Sequence, residues 1–116
     1  MNTGKLGEKV AAVYLFLKGY QILGTNKKFK YKEVDLICKK GKTLIFVEVK
    51  TRSQIKGGRP EEAVDQAKLK NLETAIYSYL LKYDSSGITD IKIEVISIEF
   101  KNKLPHIHHF KNIYFD

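Results

Sequence analysis

Apolar residues recur at helical spacing from Lys5 to Lys18: Leu6, Val10, Val13 and Leu17 share one stripe, and Ala11, Ala12, Leu15 and Phe16 widen it. The spacing predicts a helix, apolar around so much of its girth that it should be well buried, with Gly19 as its stop. Glu8 lies one turn before Ala12 and two before Leu15, on their stripe rather than on a solvent face. An extended stretch begins at Tyr20-Gln21-Ile22-Leu23 and continues through Phe29 and Tyr31. Two strands follow, Glu33–Cys38 and Thr43–Lys50, joined by Lys39-Lys40-Gly41-Lys42, a short polar connection whose glycine marks a hairpin. After a loop from Thr51 to Arg59, Pro60 with Glu61 and Glu62 suits a helix N-terminus. That helix runs to about Leu81, with Val64, Ala67, Leu72, Ala75, Ile76, Tyr79 and Leu80 on one side. Ser85-Ser86-Gly87 breaks the chain before a last strong strand, Ile91–Phe100, which alternates Ile91, Ile93 and Val95 against Lys92 and Glu94. The tail from Leu104 to Asp116 has room for one more strand. The order α-β-β-β-α-β is that of a mixed α/β fold, and 116 residues suit one compact domain.

The hairpin constrains where its charges point. Side chains alternate across a strand, so Glu33 and Asp35 fall on one face with Ile37, and Val34, Leu36 and Cys38 on the other. In the second strand Glu48 and Lys50 fall with Leu44 and Phe46, against Ile45, Val47 and Val49. Registers that bury Val34, Leu36, Ile45, Val47 and Val49 together put Glu33, Asp35, Glu48 and Lys50 on a common face; a slip by one residue would bury the charges instead. A two-residue turn at Lys40-Gly41 makes Glu33 face Glu48, and one at Gly41-Lys42 makes Asp35 face Glu48. In either case two carboxylates come within roughly 5–8 Å.

Charge sharpens this picture. Residues 1–59 hold 14 Lys and Arg against 4 Asp and Glu, whereas residues 60–116 hold 7 against 9. A basic half beside a near-neutral half suggests a surface for a polyanion, most commonly nucleic acid. Within the basic half the only carboxylates are Glu8, Glu33, Asp35 and Glu48. Two or more of these converging are destabilising unless a cation lies between them, and a hard divalent ion with oxygen ligands suits the position. Lys50, two residues beyond Glu48, can orient an attacking water and neutralise charge developing on a phosphate. An exposed mixed-charge sheet edge is the plainer explanation, but it accounts poorly for three carboxylates and a lysine between such apolar strands.

Glu33-Val34-Asp35-Leu36-Ile37 followed by Phe46-Val47-Glu48-Val49-Lys50-Thr51-Arg52 resembles the PD-(D/E)XK nuclease signature. More closely, it is similar to the YraN-like family of small bacterial proteins related to Holliday-junction resolvases. Gly7-Glu8 with Ala11-Ala12, Gly19-Tyr20-Gln21-Ile22-Leu23, Asn26, Pro60-Glu61-Glu62-Ala63-Val64 and Lys68 extend the match over about residues 4–72. The resemblance implies a restriction-endonuclease-like mixed β-sheet flanked by helices and a metal-dependent endonuclease acting on DNA, with branched or structured DNA favoured. Asp35 and Glu48 become metal ligands for Mg²⁺ or Mn²⁺, Lys50 the catalytic lysine and Glu8 an auxiliary acid. Glu33 becomes a further ligand or a group that holds the site open. A homodimer follows from the resolvases alone. Two departures stand out: Val34 replaces the proline of the wider superfamily, and Ile93-Glu94-Val95-Ile96 replaces the family's frequent Phe-Asp-Val-Val.

Other candidates are weaker. Arg52, Lys56 and Arg59 form a basic loop suited to phosphate contacts, or a plain solvated one. Lys68, between Val64 and Leu72, reaches either a phosphate or the core's rim. His106, His108 and His109 lack the partners of a zinc site and are expected in surface or packing roles. Cys38 reads as a small buried hydrophobe, and a single cysteine suits a reducing compartment. With no apolar run near 20 residues and no signal-peptide layout at Met1–Lys5, the chain reads as cytoplasmic. A non-catalytic nucleic-acid-binding module is the alternative function, and an assembly protein without nucleic acid a third.

Overall fold

The computed structural model describes residues 3–29, 32–52 and 66–113. Helix α1 (Thr3–Leu17) leads into strands β1 (Gln21–Phe29), β2 (Lys32–Lys40) and β3 (Thr43–Arg52). Helix α2 (Gln66–Lys82) then crosses to β4 (Asp90–Lys101) and β5 (Leu104–Ile113). The strands form one sheet in the order β1-β2-β3-β4-β5, antiparallel except where β3 and β4 run parallel. This mixed sheet with a helix on each face is the restriction-endonuclease-like architecture expected from the sequence. No helix among the described residues is long and apolar enough to cross a membrane.

Local chemistry sets the corners. Gly19 ends α1 at φ +92°, and the amides of Gly19 and Tyr20 donate to the carbonyls of Phe16 and Leu15, at 3.0 and 2.9 Å. This left-handed cap turns Tyr20 back against Leu15 in the core. The β2–β3 hairpin closes with Lys40 opposite Thr43, so its turn is Gly41-Lys42, with Gly41 at φ +62°.

The sheet is buried on both faces. On the α1 side lie Ala11, Leu15, Tyr20, Leu36, Cys38, Ile45, Val47, Val49, Ile96 and Ile98. On the α2 side lie Phe29, Val34, Ile37, Leu44, Phe46, Leu72, Ala75, Ile76, Ile93 and Val95. The hairpin's charged face is therefore also a core face over much of its length, because α2 covers it. Val34, expected beside Leu36, packs on the opposite side; the alternation breaks between them, at Asp35.

The helices depart from expectation too. α1 is not enclosed: Val13, Phe16 and Leu17 are 59%, 68% and 75% exposed, because the helix lies on one face of a sheet and only Ala11 and Leu15 point fully inward. In α2, Leu72, Ala75 and Ile76 are buried as expected, whereas Ala67 is exposed. Residues 60–65, where that helix was expected to begin, lie outside the described residues.

Candidate metal centre

The acidic site forms where β2 and β3 part. Their ladder runs from Lys40 opposite Thr43 to Leu36 opposite Val47 and stops there, although β3 continues beside β4 to Arg52. The next residue on β2 is Asp35. Its side chain, rather than its backbone, takes the free strand amide: Val49 N–H donates to Asp35 Oδ2 at 2.8 Å. A carboxylate thus caps the opening between two strands.

Glu8 arrives from α1. Gly7 allows this approach, since a Cβ there would run into the Thr51 hydroxyl and lie 3.0 Å from Thr51 Cβ. Glu8, Glu33 and Asp35 offer oxygens that all lie within 4.8 Å of one another. Glu48 faces the same region; its charge is the strongest electrostatic influence on Asp35 and also acts on Glu8. Lys50 Nζ lies 3.8 Å from Glu48 Oε1. Of the expected ligands Asp35, Glu48 and Glu33, the first and last lie together with Glu8; Glu48 is outside that trio, near enough for its charge to act on Asp35, and lies beside Lys50.

Such a cluster resists ionisation. Burial, and then the charge of Glu48, push the Asp35 carboxyl up to about 7, with Glu8 and Glu33 adding and the Val49 amide opposing. Glu8 is raised as well, through burial, Glu33 and Glu48, against the lowering pull of Lys5. Three carboxylate donors without sulfur or imidazole fit a hard divalent cation. The acidic cluster could hold a metal. Beside it a groove lined by Gly4, Lys5, Lys9, Thr25 and Asn26 runs between α1 and β1.

Arg52 ends β3, partly buried, and Lys56 and Arg59 lie outside the described residues, as does the side chain of Lys68. Cys38 is buried, as expected. His106 and His108 are exposed, whereas His109 reaches inward: its Nε2 lies 2.6 Å from Glu94 Oε1, which also accepts from the Tyr20 hydroxyl at 2.9 Å. Glu94, expected on the polar side of its strand, is 3% exposed. The sequence reading named Gly7 and Asn26 only as part of the family match and Glu94 only on its strand's polar side, and gave none of the three a part in the site. For the first two the signals were a glycine inside a helix and an asparagine inside a strand, both poor formers of their elements.

Comparison with known proteins places these features in a lineage. The profile of a family described as "Uncharacterised protein family UPF0102" matches residues 7–98. A UPF0102 protein of Syntrophomonas wolfei is 44% identical over 107 residues, covering 90% of this chain and 92% of that protein. One from Flavobacterium psychrophilum is 37% identical over 114 residues, covering 98% and 94%. Among solved structures, SfsA of Pyrococcus furiosus in complex with Ca²⁺ is similar at 14% identity and a TM-score of 0.39. That match covers 95% of this chain, which spans 62% of the SfsA chain.

Proposed function

This chain belongs to the UPF0102 family, and on that premise we propose that it is a metal-dependent nuclease that hydrolyses DNA phosphodiester bonds. The observation that carries the reading is the meeting of Glu8, Glu33 and Asp35 where β2 and β3 part, with Glu48 near enough to act on Asp35 and Lys50 beside Glu48. Four carboxylates of this kind have no use in simple binding of a polyanion, which they would repel.

Asp35 and Glu48 would hold Mg²⁺ or Mn²⁺, with Glu33 and Glu8 completing an oxygen shell. When bound, the ion supplies positive charge for the phosphate and makes water a better nucleophile at neutral pH. Lys50, already aligned on Glu48, presents its ammonium to charge developing on the phosphate. Water adds to phosphorus, the P–O bond to the leaving sugar oxygen breaks, and that oxygen takes a proton, leaving a phosphomonoester and a hydroxyl. Lys5 and Lys9 on the groove wall, with Arg52 at the end of β3, supply phosphate contacts; Lys56, Arg59 and Lys68 extend that set. Branched or structured DNA as the preferred form, a homodimer and a cytoplasmic setting complete the reading.

A cleavage screen over nicked, branched, single-stranded and duplex DNA with Mg²⁺ and Mn²⁺ tests it. Metal-dependent products that vanish in Lys50→Ala and Asp35→Ala support the nuclease. Salt-sensitive DNA binding that ignores metal, with no cleavage of any substrate, would replace it with the non-catalytic module.

A further inference from the structure

Asn26 sits inside β1 at φ +51°. The other non-glycine residues with positive φ among the described residues, Asn102 and Lys103, form the β4–β5 turn, where such values are required. A strand has no such requirement. The irregularity falls opposite the site: Thr25 pairs with Leu36 and Lys27 with Val34, and between them Asn26 and Asp35 leave the ladder together. Backbone conformations of this kind persist where surrounding contacts hold them, and asparagine tolerates this one better than most residues.

The side chain supplies those contacts. With its nitrogen turned toward them, the Asn26 amide donates to Glu8 Oε2 at 2.5 Å and to Glu33 Oε1 at 3.1 Å. The reverse orientation would set an amide oxygen against two carboxylates, which electrostatics disfavours. One amide thus joins carboxylates from two elements, α1 and β2, that otherwise repel each other. It takes one acceptor site on each carboxylate, which retains further lone pairs for another partner.

We propose that Asn26 is a positioning residue for the metal centre, holding Glu8 and Glu33 together beside Asp35 as a preset carboxylate cluster for a divalent cation. The inference rests on the metal-dependent reading above and adds a residue to which that reading gives no part. Partners that orient metal ligands in this way typically change affinity by about 10–100-fold when lost.

Two variants separate the amide from the backbone. Asn26→Gly adopts the positive φ freely and removes the amide. Asn26→Asp keeps the shape and the backbone tolerance and removes the donor. Mn²⁺ alone is titrated calorimetrically into the full chain at neutral pH, for wild type, both variants and Asp35→Ala, with melting temperatures measured without metal. The expected result is Asp35-dependent binding in wild type and a loss of about 10–100-fold in both folded variants, with the glycine variant melting close to wild type.

Wild-type affinity in both variants overturns the proposal while leaving the metal reading intact. Loss in the aspartate variant alone assigns the effect to added charge, and loss in the glycine variant alone assigns it to side-chain bulk; either overturns the positioning role. If one variant fails to fold, the other decides. If both fail, Asn26 is a folding residue and the proposal falls. Wild-type binding that Asp35→Ala leaves unchanged sinks the metal reading, and this inference with it.

Discussion

Val49 N–H donates to Asp35 Oδ2 at 2.8 Å, a side chain of β2 closing a backbone valence of β3 at the point where the two strands cease to pair. The bond fixes Asp35 between the strands instead of letting it turn to water. It does not neutralise it. Burial and the charge of Glu48 outweigh the amide, and the carboxyl stays raised to about 7. Without a metal, the site is held in an arrangement that costs stability.

That cost is measurable. Asp35→Asn keeps the shape, and the new amide oxygen can still accept from Val49, but the charge is gone. At pH 8 the metal-free variant is expected to be more stable than wild type, by at most about 4 kcal/mol if the shift is worth 1.4 kcal/mol per unit, and less in so far as Asp35 is only partly buried. Divalent-cation binding should be lost. Urea unfolding with and without Mn²⁺ checks both; a variant less stable than wild type in the metal-free state would show that the cluster carries no strain.

The pH dependence follows with a definite sign. Unfolded, the Asp35 carboxyl ionises near 4; folded without metal, it ionises near 7. Between these values the folded protein holds the extra proton, so metal-free stability should fall as pH rises from about 4 to about 7 and then level off. Glu8, raised in the same direction, steepens the fall. Metal binding must displace that proton, so Mn²⁺ affinity should rise by up to about tenfold per pH unit below 7 and flatten above it. Calorimetry in buffers of different ionisation enthalpy would count the released proton. A flat affinity profile from pH 5.5 to 8 contradicts the assignment.

Much of this site was legible in the hairpin. Period-2 alternation put Glu33, Asp35, Glu48 and Lys50 within reach of one another in either turn, and the ladder takes the Gly41-Lys42 turn, its last pair being Leu36 opposite Val47. What alternation could not supply is the cover on each face. Phe46 and Leu44 share Glu48's face, yet they are core, because α2, distant in sequence, closes over them. Val34 crosses to that side because the chain breaks step at Asp35. Glu94 looked like a solvent-facing residue because the pattern says which face it occupies but not that α1 and His109 lie above it. For α1 the error ran the other way: apolarity around the whole helix overstated burial, since a sheet takes in only one side of it.

Gly7 predicts a coupling between packing and metal affinity. A methyl group there meets Thr51 on β3, so Gly7→Ala must push α1 away from the sheet. Helix propensity favours alanine by up to about 1 kcal/mol, whereas overpacking costs about 1–3 kcal/mol. A net loss of stability is expected, and because Glu8 is the next residue, weaker Mn²⁺ binding with it. Thr51→Ala in the same chain removes the obstructing hydroxyl and should restore much of both. Full wild-type affinity in Gly7→Ala alone would mean that Glu8 does not depend on this close approach.

The Glu94–His109 pair should behave differently, as a structural group outside the metal centre. Glu94 Oε1 receives His109 Nε2 and the Tyr20 hydroxyl, and Tyr14 Oη lies 3.1 Å from His109 Nδ1. His109→Ala leaves the buried Glu94 side chain short of its closest hydrogen-bond partner, and a loss of about 1–3 kcal/mol is expected. Tyr20→Phe removes one hydrogen bond to the same oxygen and should cost about 1–3 kcal/mol. Replacing both partners with apolar residues, Glu94→Met with His109→Leu, removes the buried charge together with its counterpart and should recover much of the loss. Chemical denaturation gives the stabilities, and Mn²⁺ titration of each folded variant should stay within a factor of about two of wild type, below the tenfold that 1.4 kcal/mol represents. A double variant no more stable than His109→Ala would show that the network contributes packing shape rather than a satisfied charge.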